Sequence, residues 1–148
     1  MVGGGATGVR GPNPMAVTFR RAASSSRQMV PLARLFAVVH LCVSVAHGAS
    51  HAALGIWPGA ADAVFIALAV YAAPAAAVAL LPRRSAGWLL AGSMAGALVF
   101  GAHHHFLVPS ADHVAMLPPG KWSDVFRASA MLSVPVDAAT LVAALWRR

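Results

Sequence analysis

Four apolar stretches, each about as long as a lipid bilayer is thick, constrain this chain more than any other feature of its sequence. They cover about residues 33–56, 60–81, 86–108 and 125–146, and as α-helices rising about 1.5 Å per residue each can cross a hydrocarbon core of ~30 Å. Short segments rich in Pro, Gly or charge separate them. Each crossing has to be helical, because a strand or loop facing lipid leaves its backbone N–H and C=O groups unpaired. A chain that is 59% hydrophobic and only 10% charged is also too apolar for a soluble domain of this length. The expectation is an all-α integral membrane protein whose residues 31–148 form one four-transmembrane-helix bundle with no second domain.

The charges predict which way the bundle faces. Arg10, Arg20, Arg21, Arg27 and Arg34 precede the first stretch, Arg83 and Arg84 fill the second connection, and Arg147 and Arg148 close the chain. Threading four helices places all of these on one side and leaves Lys121 and Arg127 on the other, so both termini are expected to be cytoplasmic. The net charge of +7 is then a set of topogenic flanks that face anionic headgroups, and no nucleic-acid partner is needed to explain it. The bilayer is the expected partner, with a second copy or another membrane subunit compatible with the pattern. Residues 1–30, Gly- and Pro-rich and then basic and Ser-rich, read as a disordered basic tail or an overlong start. The plasma membrane is the expected location, and an organelle membrane follows instead if this Arg- and Ser-rich stretch is a transit peptide.

Chemistry enters with the histidines. His40, Ser44, His47 and His51 recur at i, i+4, i+7 and i+11, which at about 100° per residue confines them to a stripe about 60° wide. A polar stripe in lipid must turn toward the bundle interior, where partners or water are found. His47 and His51 are spaced as two imidazoles that one helix can offer to one metal ion. The same spacing also serves interhelical hydrogen bonding with no ligand.

Possible partners lie at the end of the third stretch. Gly92 and Gly96, with Ala91, Ala95, Ala97 and Gly101 around them, form a small-residue surface for close helix approach, and His103, eleven residues past Gly92, continues that face. His104 and His105 are turned from it by about 100° and 200°, so at most two of the three can reach one ion from a regular helix. The expected metal set is His47, His51, His103, His104 and His113, with Asp112 as a ligand or as the carboxylate that orients one; His105 is expected to be dispensable.

The fourth stretch adds an intramembrane carboxylate. Ser129, Ser133, Asp137 and Thr140 share one face, and Asp137 lies about 16–18 Å below the loop end of the helix. His40, measured from the opposite side, falls at similar depth, so His40 and Asp137 are expected to pair. Pro74 and Pro135 each remove a backbone donor and expose a carbonyl in mid-helix.

Cys42 stands alone, which excludes an internal disulfide, and no phosphate-binding loop, nucleophile motif or dinucleotide fingerprint is present. In size, and in carrying histidines on different helices, the chain resembles four-helix membrane cytochromes of the b type, a likeness of architecture that carries no function. Three functions fit. A transition metal (Zn, Cu or Fe) or haem b bound by the His-rich site would serve electron transfer or metal handling. Polar stripes that only fix helix packing would make a non-catalytic structural or partner-binding protein. A His40 and Asp137 relay would make a transporter or proton-relay element. None of these requires an enzyme.

Overall fold

The computed structural model describes residues 14–81 and 83–146, with side chains from Val30 onward. Among the described residues every regular element is helical. Four segments are long and apolar enough to cross a membrane: Val30–Leu54, Ala60–Leu80, Arg84–Leu107 and Lys121–Trp146. Each lies within a few residues of the stretch expected from hydropathy. The helix that carries the first span begins at Pro14, so 14–29, expected to be part of an unstructured tail, continue it as helical backbone. Residues 1–13, together with Arg147 and Arg148, fall outside the described residues.

The spans close into a ring in the order first, fourth, third, second, with the first–fourth contact the most extensive. Alanine builds much of the interior. Ala33, Ala37, Ala77, Leu90, Ala91, Met94, Ala143 and Ala144 form one buried cluster at the end bearing Arg34 and Arg83. Small side chains let helix backbones approach, so van der Waals contact can replace the hydrophobic drive that is lost when the surroundings are themselves apolar. A second cluster of Leu117, Phe126 and Ala130 sits at the opposite end beneath the long connection.

The outward faces are apolar, with Leu35, Val45, Leu68, Val99, Met131 and Val142 exposed along the spans. All four tryptophans, Trp57, Trp88, Trp122 and Trp146, are exposed near helix ends. That is where the two interfaces of a bilayer accept an amphipathic ring.

Helix termini follow from local chemistry. Gly55, at a φ of 69°, stops the first span with a Schellman turn in which Ile56 N–H donates to His51 O at 3.0 Å and Gly55 N–H to Ala52 O at 3.2 Å. Pro74 has no N–H to offer the carbonyls one turn back, and the second span is π-helical over Ile66–Ala72 just before it.

Ala37 is fully buried within the alanine cluster. Ala37→Leu is expected to wedge its neighbours apart and cost about 1–3 kcal/mol, whereas Ala37→Ser stays close to wild type; unfolding equilibria in mixed micelles check both.

Candidate metal centre

Three imidazoles from two spans meet at the end of the bundle beneath the long connection. His47 Nε2 lies 3.1 Å from His105 Nε2 and 3.1 Å from His51 Nε2. The three ligand-capable nitrogens are all within 4.8 Å of one another. Nitrogens bound tetrahedrally to one ion at about 2.0–2.1 Å stand roughly 3.3 Å apart, so the observed spacing is close to that of a coordinated set.

The opposite ring nitrogens decide which protons are present. His105 Nδ1 sits 3.1 Å from Asp112 O, and His51 Nδ1 sits 3.3 Å from Ile56 O. A carbonyl only accepts, so both Nδ1 atoms must carry the hydrogen. His47 Nδ1 lies 2.9 Å from Ser129 Oγ. That hydroxyl spends its one proton on Val125 O or Phe126 O, at 2.7 and 3.0 Å, and so accepts from His47. When all three rings are neutral, they therefore point unprotonated Nε2 lone pairs at one another. Lone pairs at 3.1 Å repel unless a cation lies between them, and imidazoles anchored through the second nitrogen are the usual arrangement around a bound metal.

Each anchor is built by nearby sequence. The Schellman turn at Gly55 brings Ile56 O back against the His51 ring. The third span ends in a π-helical turn, His103–Leu107, closed by Val108 N–H to His103 O at 2.9 Å. The connection then folds back, so that Val114 N–H donates to His105 O at 3.0 Å while Asp112 O receives the His105 ring. Arg127 holds the same connection by donating to Val114 O at 3.1 Å and Leu117 O at 2.7 Å. Phe126 packs against all three imidazoles, with ring centroids 4.5, 4.8 and 5.3 Å from those of His47, His51 and His105.

Asp112 adds negative charge. Its Oδ1 lies 3.6 Å from His51 Nδ1 and is buried with no hydrogen-bond partner among the described residues. This orphaned carboxylate oxygen faces the protonated side of the His51 ring and leaves negative charge next to the cluster, which suits a bound cation.

The cluster differs from the expected set at four positions. His103 is exposed and meets His104 edge-on at 5.0 Å; His104 lies against Phe100 at 4.3 Å. His113 holds the connection, donating through Nε2 to Phe106 O at 3.3 Å and accepting at Nδ1 from Ala115 N–H at 3.2 Å. His105, expected to be dispensable, is the third member. The error lay in the choice of face. At about 100° per residue Leu90, Met94, Gly101 and His105 fall within about 60° of one another, while Gly92, Gly96 and His103 lie opposite. Leu90 and Met94 are buried, whereas a Cβ at Gly92 would meet nothing and one at Gly96 would meet only Phe65. The stripe of larger apolar residues was the signal that leads to His105.

Deeper in the bundle His40 and Asp137 meet, with Nδ1 2.6 Å from Oδ1 and both residues buried. His40 Nε2 donates to Val70 O at 2.9 Å, and Ser93 Oγ donates to Ala69 O. These are the two carbonyls that Pro74 cannot serve. Tyr71 OH donates to Ser44 O at 2.7 Å, over Gly48, where a Cβ would come within 3.0 Å of that hydroxyl oxygen. A single cavity of about 400 Å³ is lined by His47, His51, His105 and Asp112 toward the long connection and by His40, Ser133 and Asp137 in the interior.

Compared with family models, with curated proteins and with solved structures, the chain matches none.

Gly55→Ala forces a left-handed backbone on a residue with a Cβ. The expected cost is about 1–2 kcal/mol, with added mobility of the His51 ring seen by NMR. In a double-mutant cycle, His40→Ala and Asp137→Asn should be less than additive by at least about 1 kcal/mol, as for groups that share one buried bond; strict additivity in unfolding measurements would contradict a bond between them.

Proposed function

We propose that this chain is an integral membrane protein that binds one divalent transition-metal ion through His47, His51 and His105, in the service of metal handling. The observation that carries the reading is the convergence of three Nε2 lone pairs, each imposed by an acceptor on the opposite ring nitrogen. Three imidazoles suit zinc, copper, iron or nickel, and a site with three protein ligands keeps a fourth position for water or another small ligand. The cavity beside the cluster gives that position room.

Bis-imidazole haem is disfavoured by the same geometry. It needs two rings on opposite faces of a macrocycle, and His47 Nε2 lies 3.1 Å from both neighbouring Nε2 atoms, which leaves no space for one.

In this reading the arginine-flanked end is cytoplasmic and the His site lies toward the outer surface of the plasma membrane. Arg34, whose guanidinium reaches Leu81 O, and the Arg83 and Arg84 connection support that sidedness.

The test is metal analysis and Co²⁺ titration of the detergent-purified chain. Wild type is expected to take up about one ion with the intense visible bands of tetrahedral cobalt. His47→Ala and His105→Ala should each weaken binding at least ~10-fold, the lower bound for losing even an outer-shell partner, while His103→Ala and His104→Ala leave it unchanged. An empty wild type, or equal loss in His103→Ala and His105→Ala, would overturn the assignment.

A further inference from the structure

The His40 and Asp137 pair has no part in holding the ion, yet it lines the same cavity. Its proton content is set by geometry. His40 Nε2 faces Val70 O, an acceptor, and so carries hydrogen. Nδ1 and Oδ1, 2.6 Å apart, would be two bare lone pairs if no proton lay between them. The resting pair therefore holds one shared proton and is neutral as a whole, either as imidazolium with carboxylate or as imidazole with carboxylic acid.

We propose that this pair is the proton partner of the metal centre: one divalent ion binds at the three histidines, and the proton shared by His40 and Asp137 leaves. The proposal rests on the metal reading above. No covalent bond other than the N–H or O–H of the shared proton is broken. The metal enters with its charge of two, the proton passes to water, and Asp137 remains as a carboxylate that compensates part of the new charge.

The physical drive is charge confined in a poorly polarisable space. His40 lies seven residues below His47, about 10 Å at helical rise, where a dication repels a proton far more strongly than it would across bulk water. The ionisable groups that face the cavity are His47 and His51 from the first span, Tyr71 and Asp62 from the second, His105 from the third and Asp112 from the connection, with no Lys or Arg among the lining residues. Carboxylates by themselves hold a proton, so in the empty site the pair keeps it and the repulsion that expels it comes from the incoming dication. Arg34, the cation nearest in sequence, is engaged with Leu81 O instead.

Beyond the pair, toward the arginine-bearing end, the interior is the apolar cluster containing Ala37, Ala77, Leu90 and Met94, which offers a proton no polar path. The exchange makes metal affinity fall on acidification more steeply than protonation of three ligands alone would cause. Loss of the proton also removes the bond that ties the first span to the fourth.

The experiment is a Zn²⁺ titration of the full chain in weakly buffered detergent, with protons counted at each addition, repeated on Asp137→Asn. Wild type is expected to release about one more proton per ion than the variant while both bind zinc. Equal release from two zinc-binding proteins would overturn the exchange and leave the metal site standing; a wild type that binds no zinc would remove both. If Asp137→Asn does not fold, the wild type alone decides through the far-downfield ¹H resonance of the proton held between His40 and Asp137. Its disappearance on zinc loading supports the exchange, and its persistence at full loading overturns it.

Discussion

A polar group buried in an apolar interior must find its partner inside the protein, and the arrangement of this bundle depends on meeting that demand at Pro74. The proline leaves Ala69 O and Val70 O without its N–H, in a segment that is already π-helical. Ser93 from the third span takes one carbonyl and His40 from the first takes the other. His40 then uses its second nitrogen to hold Asp137 of the fourth. One missing donor is thus repaired by side chains that bring all four spans together at a single depth. An unpaired polar group there costs several kcal/mol, so alternative packings that separate these groups are strongly disfavoured, and the alanine-lined contacts around them supply adhesion more than direction.

The end of the bundle beneath the long connection follows the same logic with a different outcome. Each imidazole of His47, His51 and His105 is tied by one nitrogen to the protein, through Ser129, Ile56 and Asp112. The remaining nitrogens have only each other, and with all three rings neutral they are all acceptors. Satisfying the first set of bonds creates the second set of vacancies, which distinguishes this cluster from His40, whose two nitrogens both have partners. Arg127 and His113 contribute at one remove by fixing the connection that carries Asp112.

Much of this could be read from residue order. The four spans follow from hydropathy and length. The stripe of His40, Ser44, His47 and His51 follows from helical periodicity, which also places Asp137 on an inward face at a depth near that of His40. Other features were not accessible in this way. The small-residue pattern of Gly92 and Gly96 pointed to the wrong face of the third span, because such a pattern says that close approach is possible and not which neighbour makes it. In the structure a Cβ at Gly92 would meet nothing and one at Gly96 only Phe65 of the second span, and His103 is exposed while His105 is buried.

Sequence alone determined that the chain makes apolar helices of bilayer length and that polar side chains form single-faced stripes, since each of these depends on spacing along one helix. Tertiary structure decided which stripe meets which: that His105 completes the cluster, that Val70 O receives His40, and that Asp112 lies beside His51. These choices depend on the rotation of each helix against its neighbours and on the path of the long connection. The energies that select them come from bonds between residues far apart in the chain, which no local pattern encodes.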